Sequence, residues 1–186
     1  MSQENVEMVR QPVALRAHTR RRLEERLAVR FPRAAAFLNR AVFRLPPRSR
    51  LRRAIIRRVV QVGTEALNRG DYEAAFGVWD PECEAIFPPR FVTLGVEAGT
   101  RGREERVHFQ RKWTAEWGEL LFEPEEVIDL DSRVLVVGRM KGSGLSSGPT
   151  FDNNWAVLLT VSAGRVIREQ VFIDHGEALE AAGLSE

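Results

Sequence analysis

The sequence predicts an α+β fold in which helices come first and a mostly antiparallel sheet follows. Up to residue 69, apolar residues recur at helical spacing. Beyond residue 120, apolar stretches are joined by turns too short for the crossovers that parallel strands need. A chain of 186 residues is long enough for one ordinary domain with a core, plus an appendage.

The N-terminal third is predicted to be helical. Residues 1–10 resemble the start of a first helix. Pro32 can open a later helix, while Pro46 and Pro47 separate two others and Gly70 ends the last. The resulting amphipathic helices are predicted at 12–30, 33–44 and 48–69.

The remaining elements follow from caps, breakers and turns. Asp71 can cap a short helix that Asp80 and Pro81 stop, and Gly164 supplies the positive φ of a tight hairpin. The predicted order is a helix at 72–79, a strand at 83–87, a loop at 88–100 and a helix at 103–117. Strands are then predicted at 120–129, 133–141, 151–161 and 165–174, before a small C-terminal helix.

The net charge of +2 conceals an asymmetry along the chain. Residues 1–60 hold 16 Arg and 4 Glu, a balance of +12, whereas residues 61–186 hold 12 basic and 22 acidic side chains, a balance of −10. We predict a division into an Arg-rich helical segment at 1–60, packed on the body, and an α+β domain at 61–186. The high Arg content, 26 Arg to 2 Lys, is typical of a GC-rich bacterial genome.

The basic helices leave a second function open. They could bind nucleic acid, an anionic membrane or another acidic partner, which would make the chain a non-catalytic interaction protein. Packing on the acidic body is favoured instead, because their apolar positions need burial and the aromatic interleaving of single-strand binders is missing.

Several functional classes find no support in the sequence. There is no apolar run of about 18 residues, and the charged N-terminus does not resemble a secretory signal, so a cytoplasmic protein is expected. The single Cys83 excludes an internal disulfide, and His18 and His108 lack partners at metal-ligand spacing. Nucleotide-binding and serine-hydrolase motifs are missing too, so we expect neither a metal nor a cofactor.

Five short segments resemble a known family when their order and spacing are read together. They are EALNRGD at 65–71, WDP at 79–81, GRVIR at 164–168, FIDH at 172–175 and EALEAAG at 177–183. Over residues 60–186 the chain resembles the SnoaL-like polyketide cyclase group of the nuclear transport factor 2-like superfamily. Residues 12–60 depart from that pattern as an atypical insertion.

The resemblance implies a cone: a strongly curved, mostly antiparallel sheet with helices on its concave face around a ligand pocket. It also implies a homodimer paired through the sheet, and chemistry without metal or cofactor. The superfamily hosts isomerases, cyclases, hydrolases and non-catalytic binders, so the fold alone does not define an activity.

The residues at the key positions of the ketosteroid isomerase branch lead us to reject steroid isomerisation as the leading interpretation. That branch needs a tyrosine donor and a carboxylate base. The tyrosine position is Gly63 here, and the chain's one tyrosine, Tyr72, comes later. The base would fall near Ala85 or Ile86, which transfer no proton.

Two other branches remain possible. The epoxide hydrolase branch needs an Asp-Arg-Asp arrangement, and its residue types occur here without its spacing, as Arg139, Asp152, Arg168 and Asp174. The cyclase branch uses an aspartate to move a proton on an acidic carbon, a role that Asp152 or Asp174 could fill with His175 nearby.

Asp174 also has a purely structural interpretation as a helix N-cap, with Glu177 completing a capping box, and this is the favoured primary role. On the strand before it, we expect one alternating set to face the pocket, namely Arg168, Gln170, Phe172 and Asp174. Glu169 conflicts with that choice, because it lies on the otherwise apolar opposite set.

The expected ligand is an apolar, carbonyl-bearing or polycyclic molecule. Its walls would be aromatic, although plain core packing explains most of these residues equally well. The candidate wall residues are Trp79, Phe87, Phe109, Trp113, Trp117, Trp155 and Phe172. Asn154 and Gln170 would orient the ligand. The sequence does not decide between binding and catalysis.

Overall fold

The computed structural model describes residues 20–93, 97–144 and 150–184. Its helices are α1 (Leu23–Arg30), α2 (Pro32–Phe43), α3 (Arg50–Asn68), α4 (Tyr72–Ala75), α5 (Pro89–Thr93), α6 (Arg103–Ala115) and α7 (His175–Ala182). Its strands are β1 (Trp79–Ile86), β2 (Gly99–Arg101), β3 (Trp117–Leu130), β4 (Arg133–Gly144), β5 (Thr150–Ser162) and β6 (Arg165–Phe172). The predictions for residues 1–19 lie outside the described residues.

The predicted α+β class is confirmed, with differences at some element boundaries. The helix predicted at 72–79 ends at Ala75, and β1 begins at Trp79. Pro81, which was expected to end the helix, lies inside β1 instead. The strand accommodates it because the register between β1 and β6 shifts between Trp79 and Glu84, and proline is tolerated at such irregularities. The segment predicted as a loop at 88–100 contains α5 and the start of β2.

The six strands form one curled sheet in the order β2-β1-β6-β5-β4-β3. Of the strand pairs described, β1 and β6 run parallel and the others run antiparallel. The predicted mostly antiparallel sheet is therefore confirmed. A register shift in β3 between Pro124 and Glu126 lies opposite Gly138 of β4, where an added Cβ would come within 2.1 Å of the Glu123 carbonyl oxygen. Bulges and glycines of this kind increase sheet curvature.

The two faces of the sheet pack against different helices. The inner face carries a buried cluster that receives Ile56 of α3 and includes Val136, Met140, Trp155 and Val157. The outer face carries a second cluster that packs against Ala178 and Ala182 of α7, and includes Leu135, Ala156, Leu158 and Phe172. Alternation of side chains along β4 and β5 produces this separation.

Arg52 of α3 fastens the N-terminal helices to the sheet. Its fully buried guanidinium donates to the carbonyl oxygens of Phe43 (3.0 Å) and Leu45 (2.8 Å) at the end of α2. It also donates to Asp129 Oδ1 at 2.8 Å and to the carbonyl of Asp131, in the β3–β4 hairpin. One side chain thus joins the connection between two helices to a sheet turn.

Further ion pairs hold α1 to α3 and to the turn that follows it. Arg21 donates two hydrogen bonds, of 2.7 and 2.8 Å, to the Asp71 carboxylate. Next to it, Arg22 Nη2 lies 2.7 Å from Glu65 Oε2. Burial is the largest single influence on the pKa of Asp71 and would raise it. The hydrogen bonds and charge of Arg21, the Ala74 N–H and the charge of Arg69 together outweigh burial and hold this pKa below its usual value. Part of the arginine excess is therefore structural.

Helix α2 rests on the β5–β6 turn. Gly164 has a φ of +79°, and a Cβ there would lie 2.0 Å from the Ala36 carbonyl oxygen, so only glycine allows this contact. Asn39 donates to the Gly164 carbonyl at 3.4 Å. Since α3 runs unbroken from Arg50 to Asn68, the predicted division between 60 and 61 falls inside one helix, and that division stays a prediction.

Within the described part of the chain, no helix combines the length and apolar character needed to cross a membrane.

Replacing Arg52 by Met is expected to lower the free energy of unfolding by about 3–5 kcal/mol, because it leaves Asp129 buried without its partner. Urea denaturation measures the change. The control is Arg53→Met, since Arg53 is exposed and forms no ion pair with another described residue. We expect the control to change stability by less than about 0.5 kcal/mol. Equal effects in the two variants would show that Arg52 is not the fastening point.

Candidate ligand cavity

A cavity of about 320 Å³ lies between the inner face of the sheet and the helices. This volume lies within the range of small-molecule sites, about 300–1,000 Å³. The lining comes from α1–α6 and from β1, β3, β4, β5 and β6, and it is predominantly apolar. The cavity is therefore formed jointly by the N-terminal helices, α4–α6 and the sheet.

Aromatic rings form one continuous wall. Phe87 and Phe109 stack with ring centroids 4.3 Å apart, and Phe91 stacks on Trp113 at 5.2 Å. Phe109 and Trp113 lie four residues apart on α6, so the helical repeat places them side by side, 6.2 Å between centroids. Trp79 and Trp155 also line the cavity.

A buried ion pair interrupts this apolar lining. Arg106 of α6 donates from Nε to Glu169 Oε2 at 2.7 Å and from Nη2 to Glu169 Oε1 at 3.3 Å. Its Nη1 donates to Gln110 Oε1 at 2.8 Å. The three residues are only 3–5 % exposed, and all three line the cavity. Burial without these bonds would be strongly unfavourable.

Four aromatic rings surround the Arg106 guanidinium. Its Cζ lies 4.7 Å from the ring centre of Phe76, 5.5 Å from Phe87, 5.7 Å from Phe109 and 5.9 Å from Trp79. The negative faces of aromatic rings attract a cation at these distances. The cage therefore fixes the position of the positive charge.

The guanidinium retains donor capacity that none of the described residues uses. Arginine carries five N–H groups, and the hydrogen bonds to Glu169 and Gln110 occupy three of them. Gln110 likewise commits one amide N–H, to Thr114 Oγ1 at 3.2 Å. An oxygen atom in the cavity could thus accept hydrogen bonds from both side chains.

Cys83 lies near this pair and is not a reactive thiol. Burial, followed by the charge of Glu169, raises its pKa to about 11, so the thiolate is scarce at neutral pH. Among the residues described, no three His, Cys, Asp or Glu side chains are grouped so that they could hold a metal ion.

The cavity reaches the protein surface between the N-terminal helices. Four of its lining residues are exposed, namely Glu24 of α1, Leu38 of α2, and Arg58 and Val59 of α3. Arg58 Nη2 lies 3.2 Å from Glu24 Oε1, so an exposed ion pair spans this mouth. Exposed pairs contribute little stability and open readily.

Comparison with known proteins assigns the family. The model of the SnoaL-like domain matches residues 59–169, more than half of the chain. The chain belongs to the SnoaL-like family. The predicted resemblance is confirmed, and the matched segment includes Arg106, Gln110 and Glu169. No curated protein matches the sequence.

Solved structures share the same fold. An NTF2-like protein of unknown function from Burkholderia pseudomallei is 19 % identical, and the match covers 67 % of this chain and 94 % of that one with a TM-score of 0.58. An NTF2-like protein from Burkholderia thailandensis is 24 % identical over 68 % and 95 % of the two chains, with a TM-score of 0.56. TerC, co-crystallised with polyporic acid, is 18 % identical over 68 % and 96 %, with a TM-score of 0.57.

Five predicted wall residues lie in the lining of this SnoaL-like cavity: Trp79, Phe87, Phe109, Trp113 and Trp155. Trp117 does not line it. The helix ends at Ala115, and Trp117 begins β3, where its ring packs against Trp113 at 5.8 Å and edge-on against Phe151 at 4.8 Å.

The homodimer and the cytoplasmic location stay predictions.

The predicted inward set on β6 needs correction. Val171, Glu169 and Ile173 face the cavity, whereas Gln170 is outside its lining and Phe172 packs beneath α7 on the outer face. The apolar set turns inward because the inner face is a hydrophobic core. Glu169 is tolerated there because Arg106 compensates its charge.

The three expected catalytic residues lie outside the cavity lining. Asp174 is the N-cap of α7, its carboxylate accepting from Glu177 N at 3.0 Å, and His175 Nε2 donates to the Gly138 carbonyl at 3.0 Å. On the far part of the sheet, Asp152 accepts from Arg139 Nε at 2.7 Å, and this hydrogen bond lowers the Asp152 pKa. The same arginine contacts Asn154 Oδ1 at 3.4 Å, and Asn154 is also outside the cavity lining.

The polar centre of the site was missed at the sequence level, although one signal for it exists. Arg106, Phe109, Gln110 and Trp113 are spaced i, i+3, i+4, i+7, so they occupy one helical face. Once Phe109 and Trp113 are placed in the wall, the arginine and glutamine must accompany them. On β6, the matching signal was Glu169, a charged residue on an otherwise apolar set of side chains.

We expect Arg106→Met and Glu169→Leu each to lower the free energy of unfolding by about 3–5 kcal/mol, because each leaves a buried charge unpaired. The double variant should regain most of that loss, since an apolar pair of similar size needs no counter-charge. Urea denaturation of the four proteins gives the coupling free energy. Additive losses in the double variant would contradict the coupling.

Proposed function

We propose that this SnoaL-like domain binds an apolar, carbonyl-bearing small molecule in the cavity. The observation that carries the proposal is the Arg106 guanidinium, buried in an aromatic cage with N–H groups left uncommitted. A ligand that is mostly hydrocarbon matches the wall, and one oxygen matches the donors. Few polar groups in an apolar lining are typical of sites that orient a small molecule.

The uncommitted donors favour an oxygen-bearing ligand over a pure hydrocarbon. A hydrogen bond from a charged donor contributes about 1.5–3 kcal/mol. Burial of an apolar body adds about 25 cal/mol for each Å² of surface removed from water, without regard to orientation. The apolar wall would thus supply most of the affinity, while Arg106 and Gln110 would supply the selectivity and the register. TerC, a structural neighbour, was co-crystallised with a small molecule, polyporic acid.

A second candidate function is proton transfer without a cofactor. Glu169 is the one carboxylate of the lining that sits within the aromatic cage, and it takes the role that the sequence assigned to Asp174. The carboxylate would remove a proton from the carbon next to the ligand's carbonyl group. The C–H electron pair would move into an enolate, whose oxygen Arg106 and Gln110 would stabilise.

Two matched ligands test the binding proposal, 2-acetylnaphthalene and 2-ethylnaphthalene, which differ in the ketone oxygen. We expect wild-type protein to bind the ketone about tenfold more tightly, equivalent to one hydrogen bond from a charged donor. Equilibrium dialysis measures both affinities. The Arg106→Met/Glu169→Leu variant should bind the two ligands equally. A wild-type preference for neither ligand would refute the role of Arg106.

Gly63 provides a matched pair of variants for locating the ligand. Gly63 lines the cavity, and an added Cβ would meet its nearest neighbour, the Ala75 carbonyl oxygen, at 3.9 Å. Gly63→Ala should therefore raise stability by about 0.5–1 kcal/mol through helix propensity and keep binding. Gly63→Leu should remain folded and lose binding, because its side chain occupies the cavity. Equal binding by both variants would place the ligand elsewhere.

The catalytic candidate predicts exchange of the methyl protons of 2-acetylnaphthalene in D2O. Wild-type protein should accelerate this exchange about 10²–10⁴-fold over the Arg106→Met/Glu169→Leu variant, the usual contribution of a positioned base. Proton NMR follows the loss of the methyl signal. Binding of the ketone with no accelerated exchange would leave the binding function intact and exclude Glu169 as a base.

A further inference from the structure

One face of α2 presents apolar side chains to solvent along its whole length. Five exposed residues repeat at i, i+3, i+6, i+7 and i+10, and so form one stripe: Phe31, Ala34, Phe37, Leu38 and Ala41. Phe31, Phe37 and Leu38 are each more than half exposed. We call this stripe, with the arginines beside it, the α2 outer face.

Four exposed arginines border the stripe: Arg30, Arg33, Arg40 and Arg44. No ion pair joins them to another residue in the part of the chain that the structure describes, in contrast to Arg21, Arg22, Arg52 and Arg58. Over residues 20–60 the chain holds 14 Arg and 2 Glu, a balance of +12. The α2 outer face is therefore both apolar and strongly positive.

The opposite side of α2 is fixed on the body, so the exposed side cannot turn inward. Ala35 and Ala36 are buried, Asn39 bonds to the Gly164 carbonyl, and Val42 and Phe43 pack on the inner cluster. The exposed apolar residues are consequently a stable feature of the folded surface.

Exposed large apolar side chains are concentrated in this region. Within the described residues, those on the N-terminal helices and their junctions are Leu23, Phe31, Phe37, Leu38, Leu51 and Val59, and elsewhere there is Ile167 alone. Single exposed apolar residues are normal on any protein, but a cluster marks a contact surface.

We propose that the α2 outer face docks on the surface of an anionic lipid bilayer. A helix that lies in a membrane interface buries an apolar stripe below the headgroups while flanking basic residues pair with anionic lipid. Phe31, Phe37 and Leu38 supply that stripe, and Arg30, Arg33, Arg40 and Arg44 supply the basic border. The bilayer offers hydrocarbon and negative charge together, which matches both halves of the face.

Other partners match only one half of this face. Nucleic acid would pair with the arginines but would leave the apolar stripe in water. A second copy packed symmetrically would bring the four arginines against their own equivalents, at an electrostatic cost. Packing on the acidic body of another copy would satisfy the charges, but of the described body residues only Ile167 would meet the stripe.

Docking would also bring the cavity mouth to the bilayer. Leu38 belongs both to the α2 outer face and to the cavity lining, next to the Glu24–Arg58 pair. An apolar ligand dissolved in the membrane would then reach the cavity without crossing water. This last step rests on the proposed function, whereas docking itself does not.

Vesicle flotation tests the proposal with the full-length chain. We expect the protein to float with vesicles of phosphatidylcholine containing 30 % phosphatidylserine in 0.1 M salt, and not with phosphatidylcholine alone. Arg33→Gln/Arg40→Gln/Arg44→Gln should weaken partition about a hundredfold, since each arginine near an anionic surface contributes roughly 1 kcal/mol. Phe31→Ala/Phe37→Ala should weaken it about tenfold or more, because both side chains would be buried on docking.

Matched controls come from the body of the protein. Ile167→Ala removes an exposed apolar side chain, and Arg111→Gln removes an exposed arginine, both outside the α2 outer face. Each control should partition like wild type. Circular dichroism checks the folding of every variant, and we expect all of them to be folded because the changes are confined to exposed positions.

Three kinds of outcome would overturn the docking proposal. No flotation, or equal flotation with uncharged vesicles, would exclude an anionic bilayer. Retention on a DNA duplex that depends on the arginines but not on Phe31 and Phe37 would assign the face to nucleic acid. A dimer in analytical ultracentrifugation that Phe31→Ala/Phe37→Ala converts to monomer would assign it to self-association. If the wild-type protein floats with the vesicles but does not bind 2-acetylnaphthalene, the proposed ligand-binding function is refuted and the docking proposal stands.

Discussion

The ion pair between Arg106 and Glu169 is the interaction on which the site depends. It joins α6 to β6 across the interior, where burying either charge without its partner would be strongly unfavourable. The aromatic rings of Phe76, Phe87 and Phe109 lie around the guanidinium, and these rings line the cavity together with the ion pair.

The arginine excess of the N-terminal segment divides into two structural classes. Arg21, Arg22 and Arg52 point towards carboxylates of the body and bind the added helices to the cone. Others, such as Arg33 and Arg40, point to solvent beside apolar residues. A composition count cannot separate these classes, because the paired carboxylates lie far away in the sequence and only the fold brings them close.

The same limit explains which parts of the structure the sequence predicted. Helix spacing, the Asp71 and Asp174 caps and the short turns are local signals, and they predicted the elements and their order. The inner face of β6 was misassigned because its buried carboxylate is stabilised by Arg106, 63 residues earlier in the chain. A polar residue on an apolar stripe reads as a surface position until its partner is known. The prediction that Trp117 lines the cavity was wrong for a simpler reason, since the helix on which it was placed ends at Ala115.

Two arginines are buried among the residues that the structure describes, Arg52 and Arg106, and they differ in how the protein uses their charge. Arg52 donates four hydrogen bonds to three carbonyl groups and to Asp129, and its Nε lies 2.7 Å from Asp129 Oδ2, so every nitrogen of the guanidinium lies against an oxygen atom of the protein. An apolar residue could not satisfy those carbonyls. Arg106 donates three hydrogen bonds, to side chains only, and an apolar pair could replace it and Glu169 without leaving any backbone group unsatisfied. Stability therefore gives little reason to keep a charge at that position, whereas an oxygen atom arriving in the cavity does.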